Sequence, residues 1–256
     1  MDLQLRDSVV FVAGSSRGIG RAIVTALLRE ECRVCVTGRD RDALSDATGD
    51  LRQKFGDKVV GFAGDLTDPA VVDQGLAFVH RHWGRLDILI ANLGNGKGKP
   101  GWRQEESEWE HLFNINFFGS VRLAQAAIPY LQIRGGSILF VSSITAIEAT
   151  SAPLPYSAAK AALVNYSKNL SRAVCDQGIR VNCIAPGNVL FPGGSWESHL
   201  RNRREEVELY ISNEVPQKRF GTPEEIASLA AYLVSPVSSF AAGGCYVMDG
   251  GQSRGI

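Results

Sequence analysis

Tyr156 and Lys160 stand one helical turn apart in the stretch YSAAK, whose other residues are small. A free tyrosine has a pKa of about 10, so it is a weak acid at neutral pH. A neighbouring ammonium favours the phenolate and makes the phenol a better proton donor. The spacing therefore indicates a proton-transfer pair. A pair in isolation is more often a half-buried tyrosine beside a solvated lysine, so the surrounding elements must decide.

The stretch VVFVAGSSRGIGRAIVTALL is typical of a strand, a glycine-rich turn and a helix. Its glycines are Gly14, Gly18 and Gly20. A turn of this kind offers backbone N–H groups and a helix N-terminus to a pyrophosphate. The spacing is GxxxGxG, which differs from the usual dinucleotide fingerprint GxGxxG. A tight turn without a ligand is the alternative, but its place in the first strand–helix unit favours nucleotide binding.

The second predicted strand ends in VTGRD, where a dinucleotide site recognises the adenosine ribose. Gly38 stands where an NAD site usually has an acid, and Arg39 follows it. Arg17 in the glycine turn could reach the same place, and two guanidiniums would bind the ribose phosphate of NADP. Asp40 is the competing residue, so the sequence favours NADP(H) and leaves NAD(H) possible.

Short apolar runs alternate with helix-length segments along all 256 residues. This alternation predicts strand–helix–strand units and a parallel sheet with helices on both faces. We therefore predict an α/β fold, a Rossmann-type doubly wound parallel sheet of seven strands, formed by one domain over residues 1–256. The motifs above lie at the carboxyl ends of strands, where such sheets bind ligands.

Two long glycine-rich segments, 92–107 and 186–206, follow predicted strands and read as functional loops. We expect a substrate loop or lid at about 188–213. Its arginines, with Lys97 and Lys99 of the first loop, fit an anionic or polar substrate. A solvated helix face, with arginines paired to Glu205 and Glu206, is the simpler interpretation of the charges.

Composition excludes several classes of protein. Lys and Arg total 27, as do Asp and Glu, so no net field attracts nucleic acid or an anionic membrane. No apolar run is long enough to span a bilayer, and we expect a cytoplasmic protein. Cys32 and Cys35 have CxxC spacing but lie in an alternating strand pattern without further ligands, so we predict no metal site.

The chain resembles the short-chain dehydrogenase/reductase family, in its short single-domain branch. The resemblance rests on AGSSRGIG, on YSAAK with a serine thirteen positions earlier, on NINFFG, on RFGTPEEIASLAAYLVS and on YVMDGG. It implies a catalytic tetrad of Asn116, Ser143, Tyr156 and Lys160, with Asn114 and Ser142 as alternatives. The residues expected at the cofactor are Gly14, Ser16, Arg17, Gly18, Ile19, Gly20, Arg39, Asp65, Leu66, Asn92, Gly94, Tyr156, Lys160, Pro186, Gly187 and Val189.

In this family the lysine also holds the nicotinamide ribose, the serine stabilises the developing oxyanion, and the asparagine holds a water. The chain departs from the family pattern at three positions. Ala13 replaces a threonine that links the turn to the fourth strand, and Leu93 replaces a small residue near the cofactor. Phe191 replaces a threonine that often bonds the carboxamide, so we expect backbone groups around Val189 to take that role.

The resemblance implies an NADP(H)-dependent oxidoreductase that acts on a small-molecule carbonyl or secondary alcohol, similar to 3-oxoacyl-acyl-carrier-protein reductases. The alternatives are an NAD-dependent dehydrogenase of a polar or sugar-like alcohol, and a non-catalytic NADP-binding sensor or scaffold. A nucleotide-sugar epimerase is disfavoured, because its extra substrate domain and TGxxGxxG spacing are missing. The family also implies a homotetramer or homodimer, and the segments 157–174 and 226–247 have the apolar faces to form one.

Overall fold

The computed structural model describes residues 1–99 and 101–255. Its central sheet has seven parallel strands in the order β3-β2-β1-β4-β5-β6-β7. The strands are β1 Val9–Ala13, β2 Arg33–Gly38, β3 Val59–Ala63, β4 Ile88–Ala91, β5 Gly136–Val141, β6 Ile179–Pro186 and β7 Cys245–Met248. The order reverses between β1 and β4, which is the topological switch point of a doubly wound sheet. The predicted fold class is confirmed.

Helices connect the strands. They are α1 Gly18–Arg29, α2 Arg41–Phe55, α3 Pro69–Trp83, α4 Glu106–Phe113, α5 Gly119–Leu131, α6 Leu154–Val174, α7 Ser195–Asn202, α8 Arg204–Glu214 and α9 Pro223–Val234. A π-helical segment, Asn114–Phe118, joins α4 to α5. Pi-helical turns inside helices occur frequently at functional sites.

Both faces of the sheet are covered, as the continuous apolarity of the strands requires. Val10 and Val12 of β1 pack in one cluster with residues of α1, α2 and α9. Val9 and Phe11 pack in the other cluster with residues of α3, α5 and α6. All four side chains are fully buried, and each contributes about 1.5–3 kcal/mol of hydrophobic stabilisation. The core therefore holds the strand ends rigidly beneath the site.

The segment predicted as a loop over 186–206 differs from the prediction, because much of it is helical. It includes α7 and the start of α8. Three ion pairs of helical spacing lie along it: Arg201–Glu197 at 3.0 Å, Arg203–Glu206 at 3.7 Å and Arg204–Glu208 at 2.7 Å. Such pairs each stabilise a helix by about 0.2–0.5 kcal/mol. These pairs support the interpretation of the charges as a solvated helix face, but among the described residues only Glu206 pairs as expected, and Glu197 and Glu208 pair in place of Glu205. We call 195–214, the two helices α7 and α8, the lid.

Three other predictions concern the rest of the chain. The loop after β4 runs to α4 at Glu106, and Pro100 within it lies outside the described residues. Cys32 and Cys35 belong to clusters on opposite faces of the sheet, so the CxxC spacing does not bring their thiols together. Among the helices of the described residues, none has the length and apolarity to cross a bilayer.

Candidate active site

A cavity of about 530 Å³ lies at the carboxyl ends of β1, β2, β4 and β5. Its volume is in the range of small-molecule and cofactor sites. Of the residues predicted at the cofactor, it is lined by Gly14, Ser16, Arg17, Gly18, Ile19, Arg39, Asp65, Leu66, Asn92, Gly94, Tyr156 and Lys160. The structure thus gathers both sequence motifs, the glycine turn and the YxxxK pair, around one cavity.

The glycine turn is shaped to receive a ligand closely. Gly14 and Gly18 have φ angles of +61° and +58°, in the left-handed region that favours glycine. Gly20 lies behind the turn, where a Cβ atom would clash with the carbonyl of Gly14 and with the side chain of Asn92. The turn leads directly into α1, and the first backbone N–H groups of a helix have no partner within the helix, so they can bind an anion. These residues therefore fit a pyrophosphate.

Two side chains hold the turn in place. Thr37 Oγ1 accepts a hydrogen bond from Gly14 N at 3.0 Å and donates one to Val12 O at 2.9 Å. Asn92 Nδ2 donates to Gly14 O at 2.8 Å. The link to β4 is therefore made by Asn92, although Ala13 lacks the hydroxyl of the family threonine. Sequence reasoning missed Thr37, whose only signal is a polar residue at the end of an otherwise apolar strand.

The two acids near the ribose end of the cavity have local partners. Asp40 caps α2, since its Oδ1 accepts from Asp42 N at 3.0 Å and from Ala43 N at 3.1 Å. Arg39 is 66% exposed, and its Nη1 lies 3.7 Å from Asp65 Oδ2, the geometry of a weak surface ion pair. The Asp40 carboxylate is thus engaged by the helix, whereas Arg39 can turn toward a ligand.

Asp65 is held by Thr67, whose N–H and hydroxyl donate to Asp65 Oδ1 at 3.0 and 2.8 Å. Burial opposes the charge of Asp65, but the hydrogen bonds from Thr67 and the nearby Arg39 lower the pKa of its carboxyl. Arg122 Nη1 in turn donates to Thr67 O at 2.8 Å and to Asn114 Oδ1 at 2.7 Å. Arg122, which sequence reasoning missed, therefore connects the β3 end to the π-helical segment.

Arg17 and Phe191 lie where the glycine turn meets the segment before the lid. Arg17 extends toward Gly193, with Nη1 3.3 Å from the position of a Cβ atom on that glycine. The ring of Phe191 lies over Gly18, 2.7 Å from where a Cβ atom would stand. The segment from Phe191 to Ser195 consequently closes one side of the cavity.

Pro186, Gly187 and Val189 do not line this cavity. Gly187 packs against Asp249, and the buried Val189 forms a β-bridge with Gly221. Contact between the carboxamide and backbone groups around Val189 stays a prediction. Of the segment after β6, the part from Phe191 to Ser195 lines the cavity instead.

Tyr156 is partly buried and faces the cavity. Removal of its hydroxyl from water raises its pKa, and a hydrogen bond with Ser143 partly offsets the rise. Ser143 Oγ also accepts from Thr145 N at 3.2 Å, which fixes its orientation. Ser142 Oγ instead donates to the backbone oxygen of Lys160 at 3.0 Å. Ser143 is thus the serine that contacts Tyr156, whereas Ser142 lines the cavity and bonds the backbone of Lys160, and the catalytic role of Ser143 stays a prediction.

Lys160 is 4% exposed, and its Nζ donates to Val141 O at 2.9 Å and to Leu93 O at 3.2 Å. Burial lowers its pKa to about 8. Its Nζ lies 6.0 Å from the ring centroid of Tyr156. The prediction that Lys160 lowers the pKa of Tyr156 is not met by these residues, because loss of hydration raises the pKa of the phenol and the hydrogen bond with Ser143 is the cause that opposes this rise.

Asn116 is fully buried in the π-helical segment. Its Nδ2 donates to Leu112 O at 2.9 Å and to Asn95 O at 3.2 Å, and its Oδ1 accepts from Asn95 N at 3.1 Å. A Cβ atom on Gly94 would lie 2.5 Å from this Oδ1 and 2.9 Å from Lys160 Nζ. Asn116 and Lys160 therefore face each other across Gly94. Asn114 is directed elsewhere, toward Arg122.

A doubly wound sheet with this cavity and this tyrosine, serine and lysine defines a Rossmann-type oxidoreductase. Comparison with known proteins narrows the class. Residues 13–253 match the family model described as enoyl-(acyl carrier protein) reductase. A 3-oxoacyl-(acyl-carrier-protein) reductase of Chlamydia muridarum is 32% identical over 99% of this chain and 100% of its own length.

Two solved structures are similar over nearly the whole chain. The L-sorbose reductase of Gluconobacter frateurii, complexed with NADPH and L-sorbose, is 31% identical with a TM-score of 0.91, covering 100% of both chains. A 7α-hydroxysteroid dehydrogenase, complexed with NADH and 7-oxo glycochenodeoxycholic acid, is 26% identical with a TM-score of 0.90, covering 100% of this chain and 98% of that one. This chain belongs to the short-chain dehydrogenase/reductase family, whose members are oxidoreductases of alcohols and carbonyls.

Proposed function

We propose that the protein is an NADP(H)-dependent reductase of a small-molecule carbonyl, or a dehydrogenase of the corresponding secondary alcohol, with Tyr156 as general acid and base. One observation carries the proposal: Tyr156, Ser143, Lys160 and Asn116 converge beside the cavity that the glycine turn lines. A non-catalytic sensor or scaffold would not require this convergence.

The nicotinamide, when bound, supplies or accepts the hydride. Ser143 donates a hydrogen bond to the oxygen on which charge develops, and Tyr156 gives that oxygen its proton. The raised pKa of Tyr156 keeps the phenol protonated at neutral pH, which suits the direction of carbonyl reduction. Lys160 would hold the cofactor ribose, and its Nζ, 6.0 Å from the ring centroid of Tyr156, places a positive charge near the tyrosine when it is protonated. Asn116 positions the backbone of the loop residue Asn95 through two hydrogen bonds. Gly94, which lies between Asn116 and Lys160, allows the two side chains to approach each other.

NADP(H) is proposed over NAD(H) because of the charges at the end of β2. The exposed Arg39 is only weakly paired, and the Asp40 carboxylate is used as a helix cap. A ribose phosphate would therefore meet a guanidinium there. Arg17, which extends toward Gly193, lines the same cavity and would add a second positive charge.

The decisive assay follows nicotinamide absorbance with NADPH and NADH in parallel, against a 3-oxoacyl thioester, cyclic ketones and keto-sugars. We expect NADPH oxidation with at least one carbonyl. Tyr156→Phe should lower kcat by at least a factor of about 100, the loss typical of a general acid, with NADPH binding unchanged by fluorescence titration. Full activity in Tyr156→Phe would refute the assigned role of the tyrosine.

Arg39→Leu tests the cofactor assignment. A hydrogen-bonded ion pair with a phosphate is worth about 1.5–3 kcal/mol, so NADPH affinity should fall by a factor of about 10–100 while NADH affinity hardly changes. Arg41→Leu is the matched control, because Arg41 is an exposed arginine two residues further along the chain, at the start of α2, and does not line the cavity. Equal losses for NADPH and NADH would show that Arg39 does not bind the phosphate.

A further inference from the structure

The chain after β7 runs along the catalytic edge of the sheet. We call residues 249–254 the tail. Asp249 shapes its turn, since its carboxylate accepts from Gly251 N at 2.9 Å and from Ser253 N at 2.7 Å. Gly250 O accepts from Gln217 N at 3.1 Å, which fixes the tail to the segment that follows the lid. The tail therefore has a defined path beside the lid.

Gln252 is the polar residue of the tail that points inward, with 9% of its surface exposed. Its Oε1 accepts from Asn188 Nδ2 at 2.7 Å, and its Nε2 donates to Tyr210 Oη at 2.7 Å. Asn188 lies just after β6, and Tyr210 lies in α8 of the lid. One buried amide thus joins the strand end to the lid through short hydrogen bonds at both of its polar atoms.

Tyr210 extends this connection to the other lid helix. Its ring stacks on Trp196 of α7, with ring centroids 5.5 Å apart and an interplanar angle of 19°. Trp196 also packs against Phe220 at 5.4 Å. The residue before Trp196 is Ser195, which lines the same cavity as Tyr156. A displacement of Tyr210 would therefore displace Trp196 and the adjacent cavity wall at Ser195.

The end of the tail makes a second connection. Arg254 N donates to Glu148 Oε2 at 2.9 Å, and the Arg254 guanidinium pairs with Glu214 of α8 at 3.4 Å. Glu148 follows the short helix that begins after Ser143. The ion pair is exposed and contributes little on its own. The part-buried hydrogen bonds of Gln252 are therefore the stronger part of the link between the lid and the catalytic edge.

We propose that Gln252 is a positioning residue: it docks the lid of α7 and α8 on the catalytic edge and so determines affinity for the carbonyl or alcohol substrate. The inference rests on the proposed function, because the lid covers the substrate only if the reaction occurs at Tyr156. Loss of the amide would remove the partner of the Asn188 amide and of the Tyr210 hydroxyl, both in part-buried hydrogen bonds, which favours an undocked lid.

The first test does not require activity. Arg201, Arg203 and Arg204 are exposed trypsin sites within the lid. In Gln252→Ala, native-state cleavage there, mapped by mass spectrometry, should be about five to ten times faster, as expected when one average hydrogen bond is lost. Gln217→Ala is the matched control beside the tail, since Gln217 is exposed and its bond to Gly250 comes from its backbone N–H. Equal cleavage rates in Gln252→Ala and in the unchanged protein would overturn the proposal.

A second variant, Tyr210→Phe, tests the same hydrogen bond if Gln252→Ala fails to fold. It removes the hydroxyl that Gln252 bonds but retains the ring that stacks on Trp196. It should accelerate lid cleavage in the same way, with an unchanged far-UV spectrum. In the double variant the two effects should not multiply, because both changes break the same bond. Fully multiplicative effects would show that Gln252 acts on something other than Tyr210.

The second test uses turnover of the carbonyl identified in the NADPH assay. Gln252→Ala should raise the KM for that carbonyl about five- to tenfold, with kcat and the KM for NADPH nearly unchanged. A fall in kcat at constant KM would contradict a docking role. If every carbonyl fails in the unchanged protein, the proposed function is refuted, whereas the cleavage experiment still decides whether Gln252 docks the lid.

Discussion

At the scale of single residues, burial changes the chemistry of the YxxxK pair. Tyr156 has a raised pKa and Lys160 a pKa lowered to about 8, each mainly through loss of hydration. The two shifts favour the neutral forms of both groups. Near neutral pH the phenol therefore holds its proton, while the lysine stands close to the point at which it loses its charge.

A pH profile of carbonyl reduction tests this arrangement. Lys160 is protonated below its pKa of about 8 and neutral above it, so kcat/KM should be flat below that pH and fall above it, about tenfold per pH unit. Lys160→Arg keeps a positive charge throughout and should move the fall to higher pH, at a lower rate. A profile that stays flat to a pH of about 10 would mean that the lysine charge does not limit the reaction.

At the scale of elements, the glycine turn depends on its neighbours in the sheet. Thr37 of β2 bonds both Gly14 N and Val12 O, and it is fully buried. Ser15 Oγ makes a parallel link, accepting from Thr37 N at 2.9 Å and donating to Val12 O at 2.7 Å. The turn is thus held by side chains from the adjacent strand as well as by its own glycines.

Thr37→Val should destabilise the protein by about 1–3 kcal/mol, since it leaves the part-buried Gly14 N–H without its partner. Urea unfolding measures this loss, and NADPH affinity should fall with it. Thr48→Val is the matched control, because Thr48 is buried and its hydroxyl has no hydrogen-bond partner among the described residues. That control should be neutral or slightly stabilising. Similar losses in both variants would show that the hydroxyl of Thr37 does not support the turn.

At the scale of the whole molecule, the chain exposes apolar side chains on the predicted assembly faces. Tyr232 of α9 is 40% exposed, Val247 of β7 is 41% exposed, and Phe240 between them is fully exposed at 103%. Exposed apolar patches of this kind mark interaction surfaces. The predicted homotetramer or homodimer stays a prediction, as does the cytoplasmic location.

Sedimentation velocity tests the assembly. We expect a homotetramer, and Val247→Glu should shift it to smaller species, because a charge buried without a partner in an interface is strongly unfavourable. Lys54→Glu is a control that reverses a charge at an exposed position of α2, outside both predicted assembly segments. A monomer in the unchanged protein would exclude the predicted assembly.

Local sequence patterns were sufficient to predict much of the fold and of the candidate site of this protein. Continuous apolar runs and the segments between them predicted the strands and the doubly wound sheet, because strand and helix periodicities are properties of adjacent residues. The glycine turn and the Tyr156–Lys160 spacing were likewise visible, since each is complete within one short segment. The carboxyl ends of parallel strands share an edge, so the gathering of these motifs in one cavity followed from the predicted fold.

Other features depended on contacts between segments far apart in the chain. Tertiary structure directed Asn114 toward Arg122 and Asn116 toward Asn95, revealed the support that Thr37 gives to the turn, and joined Gln252 to Tyr210. It also reversed the predicted pKa shift of Tyr156, because a pKa depends on hydration and neighbours that spacing does not specify. The sequence alone therefore determined which elements form and which chemical groups they carry. Only the packed fold decided which of these groups meet, and how far water is excluded from them.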